Sequence, residues 1–110
     1  MSRPIKSIEL EIVKFLIKVA GENVDSLNIP EFVSDMNDDG MGSILLNNSK
    51  NQKFGKELIN ATYIDEDNIP VMISINMNQK NELYEMDIWK TDFSKLKRYP
   101  KPEDLKIEKI

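Results

Sequence analysis

Cysteine and histidine are both absent from this chain of 110 residues. Without cysteine there can be no disulfide, no thiolate nucleophile and no sulfur ligand for zinc or an iron–sulfur cluster. Without histidine the chain lacks the usual general base near neutral pH and the commonest transition-metal ligand. An active site would have to be assembled from carboxylates, lysines, tyrosines or hydroxyls, which argues against an enzyme. No apolar run approaches the ~20 residues that span a bilayer. The opening MSRPIKS leads into a segment carrying Glu9, Glu11, Lys14 and Lys18, where a secretory signal would need an uncharged apolar stretch and a small-residue cleavage site. Together these absences predict a cytoplasmic protein with no membrane association, no metal centre and no cofactor.

The composition that remains is that of a globular protein, with 40% hydrophobic and 31% charged residues. A net charge of -4 argues against a general nucleic-acid binder, whose affinity rests on neutralising phosphates. The basic cluster Lys95, Lys97, Arg98 and Lys101 around Tyr99 is short and is followed by Glu103, Asp104 and Glu108. It reads as a solvated tail, or one folded onto the protein's own acids. The length suits one domain over 1–110, with residues 1–6 and 101–110 expected at its periphery or frayed.

The first element reads as an amphipathic helix. Ser7 is the expected N-cap, and Ile8, Ile12, Phe15, Leu16 and Val19 form an apolar stripe that Gly21 ends. Beyond residue 31 the period changes from helical to alternating, with strands expected over 32–37, 41–47, 57–64, 70–77 and 82–90. The short connections at Asp65-Glu66-Asp67-Asn68 and Asn78-Gln79-Lys80-Asn81 predict antiparallel hairpins. The predicted fold is α+β: an N-terminal helix packed on one face of an antiparallel meander of about five strands.

Two motifs invite a functional reading. Residues 34–43, SDMNDDGMGS, place Asp35, Asn37 and Asp39 ahead of Gly40 as in the first half of an EF-hand loop. Counting from Asp35, however, position 12 falls on Leu46, which has no side-chain oxygen to offer. The stretch therefore reads as a type I turn, Asn37-Asp38-Asp39-Gly40, with glycine left-handed and no metal site. The second motif is on the last strand. Val71, Ile73, Ile75 and Met77 alternate against Met72, Ser74 and Asn76, while Tyr84, Met86 and Ile88 alternate against Leu83, Glu85, Asp87 and Trp89. One face of the sheet is thus apolar and should carry the helix, and the other displays Glu85 and Asp87 about 6–7 Å apart beside Trp89. Such carboxylates can divide acid and base roles, form a solvated acidic stripe, or surround an aromatic anchor for a protein partner.

The order of helix, "DMNDDGMGSI" and "LYEMDIWKTDFSKLKRYP" resembles a family of small uncharacterised bacterial proteins, a domain of unknown function. The strand ending also looks like those of immunity proteins in polymorphic toxin systems. The resemblance covers 31–100 best and implies no catalytic residues. It favours a non-enzymatic, protein-binding module that neutralises a toxin through an acidic surface, with Glu85, Asp87, Trp89, Asp35 and Asp39 as candidate binding residues. The competing expectation is a small enzyme or small-molecule-binding domain using the same carboxylates.

Overall fold

The computed structural model describes residues 2–109. Its helix, α1 (Ser7–Val19), starts one residue earlier than a Ser7 cap would set it. Lys6 is the extended cap residue, and its N–H donates to Glu9 Oε1 at 2.9 Å. At the other end Gly21 has φ 85, and the N–H groups of Gly21 and Glu22 reach the Lys18 and Ile17 carbonyls. This is a Schellman arrangement, which needs a residue at ease in the left-handed region. The fully buried stripe is Glu9, Ile12, Val13, Leu16 and Ile17, rotated from the expected one so that Ile8, Phe15 and Val19 are only partly buried. The rotation is possible because Glu9 enters the interior already paired, its carboxylate taking two hydrogen bonds from Arg3 at 2.9 and 2.8 Å.

Seven strands form one antiparallel sheet: β1 (Ser2–Pro4), β2 (Phe32–Asp35), β3 (Ile44–Leu45), β4 (Phe54–Ile64), β5 (Pro70–Asn78), β6 (Leu83–Lys90) and β7 (Lys106–Lys109). Their order across the sheet is β1-β2-β3-β6-β5-β4-β7. The expected five are present, but a plain meander in chain order is not. The polar stretch 46–53 carries the chain across, so that β4-β5-β6 run back and β6, not β4, pairs with β3. Residues 2–4 and 106–109, within the segments expected at the periphery or frayed, form the two edge strands β1 and β7, with a 3-10 turn at Pro102–Asp104 before the latter.

Both predicted hairpins form, each closing on an asparagine in the left-handed region, Asn68 (φ 63) and Asn81 (φ 61). At the β4–β5 end, Gly55 sits where a Cβ would strike the Asn78 carbonyl, so only glycine lets the strands close there. Ile73 and Ile75 lie opposite Ile88 and Met86, all facing the helix and all shielded from water. The pairing slips between Asn76 and Met77, leaving Tyr84 as an extra residue on β6. This bulge exchanges the faces beyond it, so Leu83 enters the core in the place the alternation assigned to Tyr84.

Candidate functional site

The face of the sheet turned away from α1 is built by the register of its three longest strands. Reading β4, β5 and β6 across, the rows are Thr62–Met72–Trp89, Asn60–Ser74–Asp87 and Glu57–Asn76–Glu85, with Leu45 of β3 beside Glu85. Alternation sends Ile73, Ile75, Met86 and Ile88 to the helix and leaves these side chains on the open side. Their polar atoms bond mainly to one another. The Asn76 amide donates to Glu85 Oε1 at 2.9 Å, and the Asn60 amide to Glu57 Oε1 at 2.6 Å. Ser74 Oγ donates to Glu57 Oε2 at 3.3 Å. The buried Ser43 hydroxyl accepts from Ile88 N at 2.8 Å and has one proton for two acceptors, the Ile88 carbonyl and Asp87 Oδ1.

Two features of this grid are unusual. Among the described residues, no lysine or arginine forms an ion pair with Glu57, Glu85 or Asp87. And the side-chain carbonyls of Asn60 and Asn76 are shielded from water with no donor bonded to them. Neither amide can simply be turned over, because its NH2 group is held by a carboxylate. Although Asp87 stays open to water, partial desolvation raises its carboxyl above the ordinary value. The Asp38 and Glu57 charges add to this, and the Ser43 hydroxyl opposes it.

Trp89 closes the grid at one end. It is 40% exposed and lies 6.1 Å, centroid to centroid, from Phe93, which is 64% exposed. Phe93 has φ 63, a conformation a bulky residue adopts only at a cost of order 1–3 kcal/mol. Local bonds hold it there: Phe93 N donates to the Lys90 carbonyl at 2.8 Å, and Asp92 accepts from both the backbone and the hydroxyl of Ser94. The tail beyond does not cover Trp89. Leu96 and Tyr99 pack against the core cluster on the helix side, and Tyr99 Oη reaches toward Glu9.

The five candidate residues do not form one site. Glu85, Asp87 and Trp89 share the open face. Asp35 lies opposite Ile44 on the helix face, where Arg3 grips it through bonds of 3.0 and 2.7 Å and holds its carboxyl below the usual range. That pairing separates Asp35 from the grid, because residues of opposite alternation cannot meet through a sheet. Asp39 stands exposed in the turn after β2. The turn itself runs one residue later than the sequence suggests, from Asp38 to Met41. Both its central residues, Asp39 (φ 58) and Gly40 (φ 86), have positive φ, as a type I′ hairpin turn requires rather than type I. Asp38 does not point outward as a ligand but accepts the Ser43 N–H at 2.9 Å. Among the described residues, no three acidic side chains gather as a metal site would need.

Sequence reasoning missed a buried ionic node. Lys90 is fully buried, with Nζ 2.9 Å from Asp65, 2.6 Å from Asp67 and 3.0 Å from the Lys95 carbonyl. Asp65 also accepts the N–H groups of Glu66, Lys97 and Arg98. Burial alone would push Asp65 up, but the Lys97 N–H, the Lys90 ammonium and the other two N–H groups outweigh it and hold the carboxyl low. Burial likewise would lower Lys90, and Asp67 and Asp65 reverse it. The signal was available: extending Met86, Ile88 by one more alternate step lands on Lys90. The node binds the tail to the β4–β5 hairpin, and it offers no open position to a substrate.

Cavities of about 360 and 120 Å³ are present, but they are lined by other residues, including Leu27, Ile29 and Leu46 for the larger and Gln52, Asn78 and Lys80 for the smaller. The acids of the grid lie on an open surface. The architecture is therefore an α+β sheet with one face covered by a helix and the other presenting carboxylates, amides and an aromatic pair. Residues 2–100 match the family described as Domain of unknown function (DUF6984), and the chain belongs to that family. The 3-10 turn and β7 lie beyond the matched span. No curated protein and no solved structure matches the chain. No helix among the described residues is long and apolar enough to cross a membrane.

Proposed function

We propose that this chain is a non-enzymatic protein-binding module that docks its partner on the open face of the sheet. In this reading it is a cytoplasmic, immunity-type protein that neutralises a toxin. The observation that carries the docking is the Trp89–Phe93 pair, two solvent-exposed aromatics with Phe93 held in a costly backbone conformation, on the face that bears three carboxylates with no cation partner among the described residues. Aromatic anchors ringed by charge are typical of binding hot spots, and strain is retained where the surroundings enforce it for a use. Seven strands at about 4.8 Å each give a face roughly 30 Å wide, enough for the ~800 Å² per partner of an ordinary complex. An enzyme using the same acids would be expected to enclose its substrate, and here they line neither of the cavities described above.

The test is capture from the host followed by measured binding of the captured protein. Trp89→Ala should remain folded and should abolish binding, mainly through faster dissociation. Glu85→Lys with Asp87→Lys should slow association and weaken its salt dependence. A change at Glu11, exposed on the helix, should do neither. If the captured protein arrests growth when expressed alone and co-expression of this chain relieves it, the immunity reading holds. A captured protein that binds Trp89→Ala as tightly as wild type would refute docking on this face.

A further inference from the structure

The rows Glu57–Asn76–Glu85 and Asn60–Ser74–Asp87 of the open face hold more hydrogen-bond acceptors than donors, three of them carboxylates, and that composition specifies what they take. Resting on the docking reading above, we infer that the partner seats an arginine guanidinium between Glu57 and Glu85, over Asn60 and Asn76. Asn76 is only 7% exposed, yet its Oδ1 has no donor, while its Nδ2 is committed to Glu85. Asn60 repeats the arrangement one row away, with Nδ2 committed to Glu57 and Oδ1 unpaired. A shielded acceptor without a donor costs the free protein stability, and structures keep such groups rarely. Here two occur within one patch, beneath carboxylates that have no cation among the described residues. What the described residues do not bring to the patch is one positively charged group with many N–H donors.

The geometry favours a guanidinium over an ammonium. The acceptors are spread over neighbouring strands, about 4.8 Å apart, and along rows about 7 Å apart. An ammonium is a compact point charge with three donors, whereas a guanidinium is a planar fork with five, pre-organised to bridge separated acceptors. Each asparagine is tied to a glutamate through its amide nitrogen, and Glu57, being exposed, can readjust so that the fork reaches the shielded carbonyls while still facing both carboxylates. Met72 and Trp89 share the row beyond Asn60, on one side of the seat, and supply apolar surface for the arginine stem.

The experiment titrates the intact protein with N-acetyl-argininamide, with N-acetyl-lysinamide and N-acetyl-norleucinamide as comparisons, following the side-chain amide resonances of Asn60 and Asn76. Saturable shifts of both amides with the arginine probe are expected, with binding at least tenfold weaker for the lysine probe and absent for norleucine. Glu85→Gln, which preserves shape, should weaken the arginine probe about tenfold or more, as loss of a charge-assisted bond does. Asn76→Leu removes the orphaned acceptor. It should melt no lower than wild type and also lose binding tenfold, a combination that a merely structural asparagine would not give. Equal binding of lysine, unmoved Asn60 and Asn76 amides, or full binding by Glu85→Gln overturns the assignment. The two proposals fail separately. A partner that needs Trp89 but binds Glu85→Gln and Asn76→Leu normally removes the arginine seat and leaves the docking face. Probe binding without any partner that needs Trp89 does the reverse.

Discussion

Replacing Lys90 with methionine should be among the most damaging single changes this protein can suffer. Methionine fills most of the same volume, so the cavity contribution is small and the effect isolates the charge. Lys90 Nζ is fully buried between Asp65 and Asp67. Removing one partner of a buried pair leaves an uncompensated charge and typically costs about 3–5 kcal/mol. At roughly 4 °C per kcal/mol for a domain of this size, the melting temperature should fall by about 12–20 °C. Asp65 sets a further condition. Buried ion pairs can often be replaced wholesale by apolar side chains without loss. Here that would orphan the N–H groups of Lys97 and Arg98, so apolar replacement of Lys90 and Asp65 together should not recover wild-type stability. The pH dependence follows from the directions of the shifts. Asp65 is held low, so its contribution is present above the ordinary aspartate value near 4 and is lost as pH falls through its lowered native value. Lys90 is held high, so its contribution is full below the ordinary lysine value near 10.4 and is lost as pH rises through its raised native value. Circular-dichroism melts of wild type and Lys90→Met at pH 7 and toward both extremes measure all of this. A variant melting within about 3 °C of wild type at pH 7 would show that the node does not hold the tail.

Two further outcomes follow from the sheet. Ile75→Ala, at a fully buried position opposite Met86 and Ile59, should cost about 2–5 kcal/mol by denaturant titration; an unchanged midpoint would mean the register across β4, β5 and β6 is wrong. Asp87→Asn should raise stability near pH 7. The folded state raises the Asp87 pKa, so its ionised form costs stability above the ordinary aspartate range, and the advantage of asparagine should vanish in melts near pH 3. A variant less stable than wild type at pH 7 would contradict the unpaired-acid reading of the grid.

How much of this was legible in the sequence depends on how far each signal reaches along the chain. The helix, the two asparagine-closed hairpins and the segregation of Ile73 and Ile75 from Ser74 and Asn76 are encoded within a few residues, and all were readable. So was the sharing of one face by Glu85, Asp87 and Trp89, since period-2 alternation needs no partner strand. What the sequence hid lies in pairings between distant segments. Nothing local says that β3 will lie against β6, or that residues 106–109 will close the far edge as β7. The rotation of α1 that buries Glu9 depends on Arg3, from an edge strand that alternation alone would not assign. The bulge at Tyr84 shows the limit of pattern reading most clearly, because one extra residue puts Leu83 in the core place that alternation assigns to Tyr84. The candidate site divides along the same line. Asp35 looked equivalent to Glu85 as a carboxylate near turns and strands, and only the register places them on opposite sides of the sheet. Among the residues that give the open face its chemistry, Glu57 and Asn60 were not singled out, and Asn76 was placed on that face without its partners, for the converse reason. Each is unremarkable alone and acquires meaning only when three strands set them side by side. A binding surface assembled across a sheet is therefore readable one strand at a time for its polarity, and only in the folded register for its specificity.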